Sequence, residues 1–399
     1  MRQKGWVVTA AGTGINLALG VLYAWSVFKG SIIAELHVTD FQASLPYAVA
    51  SGMFALMMVP AGRMQDKLGP RLVLTLGGAL TGLGLILSYF AHSITMLVLT
   101  FGIVAGTGIG LGFSATIPAA VKWFPPQKKG TIIGIVVSGF GIASVYISPL
   151  AKSLLAGYGL NMSFLILGIT FLVLIIGLAQ LVTNPAKGFV PVGTPASAAY
   201  PAESSGSRGD YEWFEIIRTS QFYLLWLMYA AGATGGLMII GHLATYADSI
   251  GIGGGFVLVA ILAACNAGGR VSAGLISDRI GRTRTMLLVF LVHAAGLLIL
   301  PRLTSFVLLS AGTGVMGFCY GSYSTLFPST TYDYFGTKHG GVNYGLVFTA
   351  WGVGGVFGAP LAGYIKDVTG AYNLAFYIAA ALILLAAGLT FVTKPPKAR

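Results

Sequence analysis

Twelve long apolar runs dominate this chain and restrict what it can fold into. Crossing a bilayer as a helix takes about 20 apolar residues, and only 9% of the 399 residues are charged, whereas a soluble domain carries about 25%. The sequence therefore predicts an all-α membrane protein with twelve transmembrane helices, called spans 1 to 12 in chain order. Their predicted limits are Trp6–Lys29, Phe41–Gly62, Arg71–Ala91, Ile94–Phe124, Gly130–Gly157, Asn161–Thr183, Ser220–Ser249, Gly253–Ser277, Thr285–Arg302, Ser305–Phe335, Gly341–Asp367 and Tyr372–Thr393.

One connection differs from the other, short ones. Residues Asn184–Arg218 contain four prolines among many alanines, serines and glycines, a composition typical of a flexible linker. It predicts three parts: an N-terminal six-helix bundle at residues 1–183, a cytoplasmic linker at 184–218 and a C-terminal six-helix bundle at 219–399.

The two halves repeat each other. The loops after spans 2 and 8 both read G-x-x-x-D-x-x-G followed by arginine, and their aspartates, Asp66 and Asp278, are 212 positions apart. Pro149 and Pro360 are 211 positions apart. This constant offset indicates duplication of a six-helix unit, and duplicated halves predict a transporter whose binding site lies between two pseudo-symmetric bundles.

The basic residues lie mainly on one side of this topology. With both termini in the cytoplasm, 18 of the 23 Lys and Arg residues fall on the cytoplasmic side, four on the other side, and Arg270 within a span. The positive-inside rule then fixes the orientation of a multi-pass protein of the cell (inner) membrane. The net charge of +12 implies no nucleic-acid partner, because the basic residues are spread over short loops.

The repeated motif and three shorter ones carry a family resemblance. Twelve spans, a long central linker and two copies of G-x-x-x-D-x-x-G resemble the major facilitator superfamily. Within it, Lys4–Val8, Tyr23–Phe28 and Trp123–Gly130 resemble the monocarboxylate transporters and the related oxalate–formate exchangers. The resemblance implies two bundles that rock about a central site, with spans 1, 4, 7 and 10 lining the cavity.

Arg270 is the strongest candidate for the binding site. It sits deep in the apolar run of span 8, where a fixed charge is costly, and Asn266 lies one helical turn earlier on the same face. The aspartates considered as partners lie near span ends, so the sequence predicts that a substrate carboxylate is the counterion. The oxalate exchanger adds a lysine in span 11, but residues 341–364 contain no Lys or Arg. A singly charged carboxylate is therefore expected.

The resemblance also implies which other residues face the cavity. They are mostly aromatic, and the alternative is that each serves only helix packing. The expected set is Asn16, Leu19, Tyr23, Phe113, Ser114, Ile117, His242, Tyr320, Tyr323, Phe327, Phe348 and Trp351.

Proton coupling departs from the family pattern. Animal monocarboxylate transporters carry an aspartate four residues before the arginine and a lysine within span 1, whereas this chain has Asn266 and, at the predicted end of span 1, Lys29. His242 is the remaining proton carrier, because imidazole titrates near neutrality, with Arg270 as its partner in coupling. A merely structural His242 and the joint release of proton and carboxylate stay open as alternatives.

The loop motifs are expected to form a conformational latch. Asp66 with Arg71, and Asp278 with Arg282, place a carboxylate beside an arginine at helix ends. In the superfamily this motif stabilises the outward-facing state. The alternative is that these charges only fix the topology.

Together these observations predict proton-coupled symport of a small monocarboxylate, of the lactate or pyruvate type, by a monomer. The alternative is an oxalate/formate-type anion exchanger. A receptor is disfavoured because no signalling domain is present. An enzyme is disfavoured because no catalytic triad, metal-ligand set or carboxylate pair can be assembled, and neither a metal nor a cofactor is expected.

Overall fold

A computed structural model describes residues 2–125, 129–186, 189, 210–336 and 339–396 of the chain. Within these ranges every regular element is a helix, and nine helices are long and apolar enough to cross a membrane. One of the nine, Lys129–Ala179, bends at Gly159 (φ 75°) and holds both spans 5 and 6. Spans 10 and 12 complete the twelve, so the predicted fold class is confirmed.

The helices lie where the sequence predicts them, but span 1 continues beyond Lys29 and span 2 beyond Gly62. The first half contains span 1 (Arg2–Leu19, the 3₁₀ turn Gly20–Ala24 and Trp25–Leu36), span 2 (Asp40–Leu68), span 3 (Pro70–Ser88), span 4 (Ile94–Leu97, the π-helical stretch Val98–Ala105 and Gly106–Val121) and the helix of spans 5 and 6. The second half contains span 7 (Ser220–Ser249), span 8 (Gly255–Ile280), span 9 (Arg282–Ile299), span 10 (Phe306–Phe335), span 11 (Gly340–Thr369) and span 12 (Asn373–Leu389).

The last residues of the predicted linker are anchored to the second half. The backbone N–H of Tyr211 donates to the Phe335 carbonyl (3.0 Å), and Asn343 Nδ2 donates to the Tyr211 carbonyl (2.9 Å). One helical turn, Trp213–Ile216, then leads into span 7. Residues 187–188 and 190–209 of the linker lie outside the described residues.

Small residues bring spans 8 and 10 into backbone contact and so fix the rotation of span 8. A Cβ on Gly269 would lie 2.0 Å from the Phe318 carbonyl oxygen, and one on Gly321 would lie 2.0 Å from the Asn266 carbonyl oxygen. Such close approach is typical of helix packing in membranes. This contact turns Arg270 away from span 10 and towards the other half.

The turn within span 1 has a similar role. The helix tightens to 3₁₀ at Gly20–Ala24, and a Cβ on Gly20 would lie 2.2 Å from Ala143 Cβ of span 5. Only glycine allows that approach. It places the ring of Tyr23 edge-on against Phe140, with 4.8 Å between ring centroids.

Candidate functional site

A cavity of about 340 Å³ lies between the two halves. At one end it is lined by exposed residues, Arg63, Pro118 and Gly341, and at the other by buried ones, including Tyr23 and Phe54. Span 2 ends and span 11 begins at the exposed end, so the cavity opens on the side from which span 1 starts. It is closed towards the opposite end.

Arg270 lies at the inner end of this cavity and is 7% exposed. Its Nε donates to Asn266 Oδ1 (2.9 Å), and its Nη1 donates across the interface to the Val137 carbonyl of span 5 (3.0 Å). No carboxylate pairs with it among the described residues. A guanidinium has five N–H donors, so donors remain for a ligand in the cavity.

Asn266 holds the arginine rather than lining the cavity. It is fully buried, and its Oδ1 is used by Arg270. Its Nδ2 has no hydrogen-bond partner among the described residues. A buried amide donor without a partner is unfavourable, and here it lies on the same side chain that orients the guanidinium.

A chain of three aromatic side chains leads to the arginine. Trp351 Nε1 donates to the Tyr320 hydroxyl (2.6 Å), which is 2.9 Å from the Tyr23 hydroxyl. Tyr23 in turn lines the cavity together with Arg270. This chain joins spans 1, 10 and 11 behind the site, so Tyr320 supports the cavity although it does not line it.

The walls beside Arg270 are aromatic. Phe54 of span 2 packs against Phe113 and Phe140 of the first half (5.2 and 5.6 Å between ring centroids), and against Phe348 and Trp351 of the second half (5.6 and 4.9 Å). All five rings line the cavity. The inner end of the cavity thus combines the buried Arg270 cation with apolar walls, the usual composition of a small-molecule pocket.

The structure brings about half of the expected residues to the cavity. Those that line it are Tyr23, Phe113, Ser114, Ile117, Arg270, Phe348 and Trp351. Those placed away from it are Asn16, Leu19, His242, Asn266, Tyr320, Tyr323 and Phe327.

Packing explains most of the residues placed elsewhere. The Tyr323 hydroxyl bonds to His293 Nδ1 (2.9 Å) inside the second half, and Phe327 stacks on Tyr229 at 4.2 Å between centroids. Leu19 packs against Gly112, where only a missing Cβ leaves room. Helical spacing selects a face of a helix, but neighbouring helices decide which part of that face meets the cavity.

A second polar group lies at the closed end. Lys29 of span 1 pairs with Asp40 at the start of span 2, and its Nζ lies 2.6 Å from Nδ1 of His242 of span 7. The same Nδ1 is 3.2 Å from Asp40 Oδ1. Lys29 and His242 are both 0% exposed.

Two residues of the second half complete this group. The Tyr372 hydroxyl donates to Asp40 Oδ1 (2.9 Å). The Asp367 carboxylate accepts from the backbone N–H groups of Asp40 and Phe41 (2.9 and 2.8 Å), at a helix N-terminus, where negative charge is favoured. The name closed-end cluster is used below for Lys29, Asp40, His242, Asp367 and Tyr372. Because its contacts join the halves, it seals this end.

Sequence reasoning found only His242 of this cluster. The expectation that Lys29 ends span 1 is wrong, because the helix continues to Leu36. Asp40 was not singled out. The available signal was a lone lysine in an apolar helix with an aspartate eleven residues later. No local pattern links either residue to His242, which is 213 positions from Lys29.

The latch residues differ between the halves. Arg282 bonds to Asp278 (2.6 Å) and to Asp333 (3.0 Å), so these ion pairs tie spans 8, 9 and 10 together within the second half. Arg71 is exposed and makes no ion pair in the described ranges. The side chain of Asp66 lies outside the described residues.

A protein built this way belongs to a recognisable class. Two six-span halves that enclose a cavity open at one end and sealed at the other are suited to carrying a solute from side to side, and the class is that of membrane transporters.

Comparison with known proteins specifies the family. A family model for the major facilitator superfamily matches residues 8–276 and 257–399, and the chain belongs to that superfamily. It is 29% identical to the oxalate:formate antiporter of Oxalobacter formigenes over 94% of this chain and 87% of that protein. It is 28% identical to monocarboxylate transporter 13 of Rattus norvegicus, over 98% and 89% of the two chains. It is also 29% identical to an uncharacterised transporter of this superfamily from Escherichia coli, YhjX, over 89% and 87%.

Proposed function

We propose that this protein is a proton-coupled symporter of a small monocarboxylate, of the lactate or pyruvate type, in the cell (inner) membrane. It works by alternating access as a monomer, with both termini and the linker in the cytoplasm, so the described state is open to the cytoplasm. The observation that carries the proposal is Arg270, a buried cation facing a cavity with no acid paired to it among the described residues.

Arg270 binds the carboxylate in this proposal. Free N–H donors on one guanidinium can bind both oxygens of a carboxylate in parallel. Asn266 Oδ1 accepts from Arg270 Nε and thereby orients the guanidinium. The Asn266 Nδ2 group is proposed as a further donor to the acid when the halves close. Tyr23, next to the guanidinium, positions the acid from span 1.

The walls favour a single negative charge. Phe113 and Phe348 offer apolar surface to the tail of the acid, and span 11 provides no second cation between residues 341 and 364. Arg63 lies at the mouth, where exposed positive charge attracts anions. Tyr320 supports Tyr23, while Leu19, Tyr323 and Phe327 are proposed to pack behind the site without touching the acid.

Proton coupling is assigned to His242, with Arg270 responding to the bound acid. His242 is buried among ionisable side chains at the interface of the halves, where a change of conformation alters its surroundings. The pairs Asp66–Arg71 and Asp278–Arg282 are proposed to act as the latch of the opposite, outward-facing state.

Uptake of labelled L-lactate into proteoliposomes tests the proposal. An inward proton gradient should drive accumulation, and Arg270→Gln should reduce uptake to the level of empty liposomes. Arg284→Gln, which removes an exposed arginine at the start of span 9, is the matched control and should transport normally. Accumulation indifferent to the gradient would exclude symport.

The alternative is anion exchange, favoured by the similarity to the oxalate:formate antiporter. It predicts that lactate uptake needs carboxylate loaded inside the liposomes and ignores the proton gradient. Wild-type protein that neither binds nor moves any carboxylate would refute both functions.

A further inference from the structure

The positions of the protons in the closed-end cluster follow from its hydrogen bonds. His242 Nε2 lies 2.7 Å from the Ala359 carbonyl oxygen, which can only accept, so Nε2 carries a proton. Nδ1 lies 2.6 Å from Nζ of Lys29. An ammonium can only donate, so Nδ1 is the acceptor and the imidazole is neutral in this arrangement.

In the closed cluster, a second proton on His242 would have no suitable acceptor. An N–H on Nδ1 would point at the Lys29 ammonium 2.6 Å away, with two donors and two positive charges in contact. Asp40 Oδ1 lies 3.2 Å from Nδ1, but it already accepts from Lys29 and from the Tyr372 hydroxyl, and the Lys29 ammonium is closer to Nδ1. The closed arrangement therefore requires neutral His242.

The other charges around the cluster do not reverse this requirement. Lys29 and Asp40 form an ion pair, and the Asp367 carboxylate is occupied by two backbone N–H groups. Lys366 lies over the Tyr372 ring, with Nζ 5.5 Å from the centroid. Two cations and two carboxylates cancel, so the direct donor–acceptor contacts decide the state of the imidazole.

Opening this end must break the same contacts. Lys29 and Asp40 belong to the first half, whereas His242, Asp367 and Tyr372 belong to the second. Once separated, the His242 imidazole meets water, and a solvated imidazole titrates at about pH 6.5. Opening thus changes the number of bound protons below that pH.

We propose that the closed-end cluster is a proton-binding gate, which forms only with neutral His242 and binds one proton at His242 when the halves separate there. This gate rests on the proposed alternating access, but not on which acid the cavity carries. It gives the proposed proton carrier two partners, Lys29 and Asp40, which set when its proton can bind.

The sign of the pH dependence follows by linkage. The open form binds one proton more than the closed form, so acid favours opening. For a single proton, the ratio of open to closed protein rises by at most about tenfold for each pH unit by which the pH is lowered below about 6.5. Above that pH the ratio is constant.

A buried reporter measures this ratio. Ser51 of span 2 is fully buried against Gly355 of span 11, between Asp40 and the cavity wall at Phe54. Ser51→Cys is made with the native cysteines replaced by alanine (C265A and C319A). Its rate of labelling by a charged thiol reagent is measured from pH 5 to pH 8 in detergent, without carboxylate.

A second cysteine removes the intrinsic pH dependence of thiol labelling. Gly253 lies exposed in the loop between spans 7 and 8, with open space around a Cβ. The labelling rate at Ser51→Cys divided by that at Gly253→Cys reports opening alone. In the wild-type background this ratio should rise by several-fold per pH unit below about pH 6.5.

Two variants identify the group that titrates. In His242→Gln the side-chain amide can donate to the Ala359 carbonyl and accept from Lys29, so the gate keeps its neutral form. The labelling ratio should stay at its pH 8 value throughout. Lys29→Gln removes the ammonium that faces Nδ1 and should also flatten the profile, because His242 can then bind a proton and donate to Asp40 in the closed state.

Two results would overturn the proton-binding gate: a wild-type labelling ratio that does not change with pH, or an unchanged slope in both His242→Gln and Lys29→Gln. Size-exclusion profiles establish that each variant is folded. Because the labelling experiment uses no carboxylate, a negative result would not affect the proposed role of Arg270. Conversely, absence of lactate transport would not affect the result of the labelling experiment.

Discussion

Gly141 of span 5 packs directly on the Asn266–Arg270 pair, and replacing it with alanine should weaken carboxylate binding. The added Cβ would lie 2.9 Å from Asn266 Oδ1 and 3.2 Å from Arg270 Nε. Ordinary contacts of this kind begin at 3.4 Å, so the amide oxygen must move by about half an ångström. Asn266 has little freedom to do so, because it is fully buried and its Oδ1 already accepts from Arg270.

The magnitude follows from the bond that is disturbed. A hydrogen bond to a charged group contributes about 1.5–3 kcal/mol, so losing the 2.9 Å bond from Arg270 Nε should raise the dissociation constant by about 10- to 150-fold. Equilibrium binding of labelled lactate to purified protein measures this change. A parallel melting curve separates loss of affinity from loss of folded protein.

Gly134 supplies the matched control, two turns earlier in the same helix. A Cβ there meets nothing within 4 Å, and alanine favours a helix over glycine by about 1 kcal/mol. Gly134→Ala should therefore bind lactate like the wild type and melt no lower. Equal affinities for Gly141→Ala and Gly134→Ala would refute the idea that Asn266 orients Arg270 for binding.

Two further predictions concern the cavity. In competition with labelled lactate, straight-chain monocarboxylates should bind about fourfold more tightly for each added methylene that the aromatic wall buries, until the cavity is filled. Equal affinities along the series, or tighter binding of succinate than of butyrate, would contradict an apolar site for a singly charged acid. Tyr23→Phe should weaken lactate binding by about two- to tenfold through loss of one hydroxyl bond, whereas Tyr323→Phe should leave affinity unchanged and lower only the melting temperature, because its hydroxyl partner is His293. Equal effects of the two substitutions on affinity would contradict the assigned positions.

The spans, and a buried cation at Arg270 within span 8, were predictable because their signals are local. Hydropathy is a property of consecutive residues, and it predicted Ser220–Ser249 to the residue. A cation such as Arg270, within an apolar run, is unfavourable wherever the helix packs, so its need for a polar partner follows from span 8 alone. The duplication of the halves was equally visible as a constant offset between motifs.

The lining of the cavity was predictable only in part. Tyr23 and Tyr323 look alike in sequence, each on a helical stripe, yet Tyr23 lines the cavity with Arg270 and Tyr323 bonds to His293. The difference arises from the 3₁₀ turn of span 1 and from glycine contacts that set how far each helix rotates. Such rotations depend on neighbouring helices and leave no periodic signal.

By itself, then, the sequence determined the number of spans, their pairing into halves and the isolation of one cation, since each depends on the free energy of residues close in the chain. Only the tertiary structure decided that Lys29 and Asp40 meet His242 from the other half. Hydrogen bonds between residues so far apart in the chain depend on how the two bundles pack against each other. That packing is not determined by the residues close in sequence within either bundle.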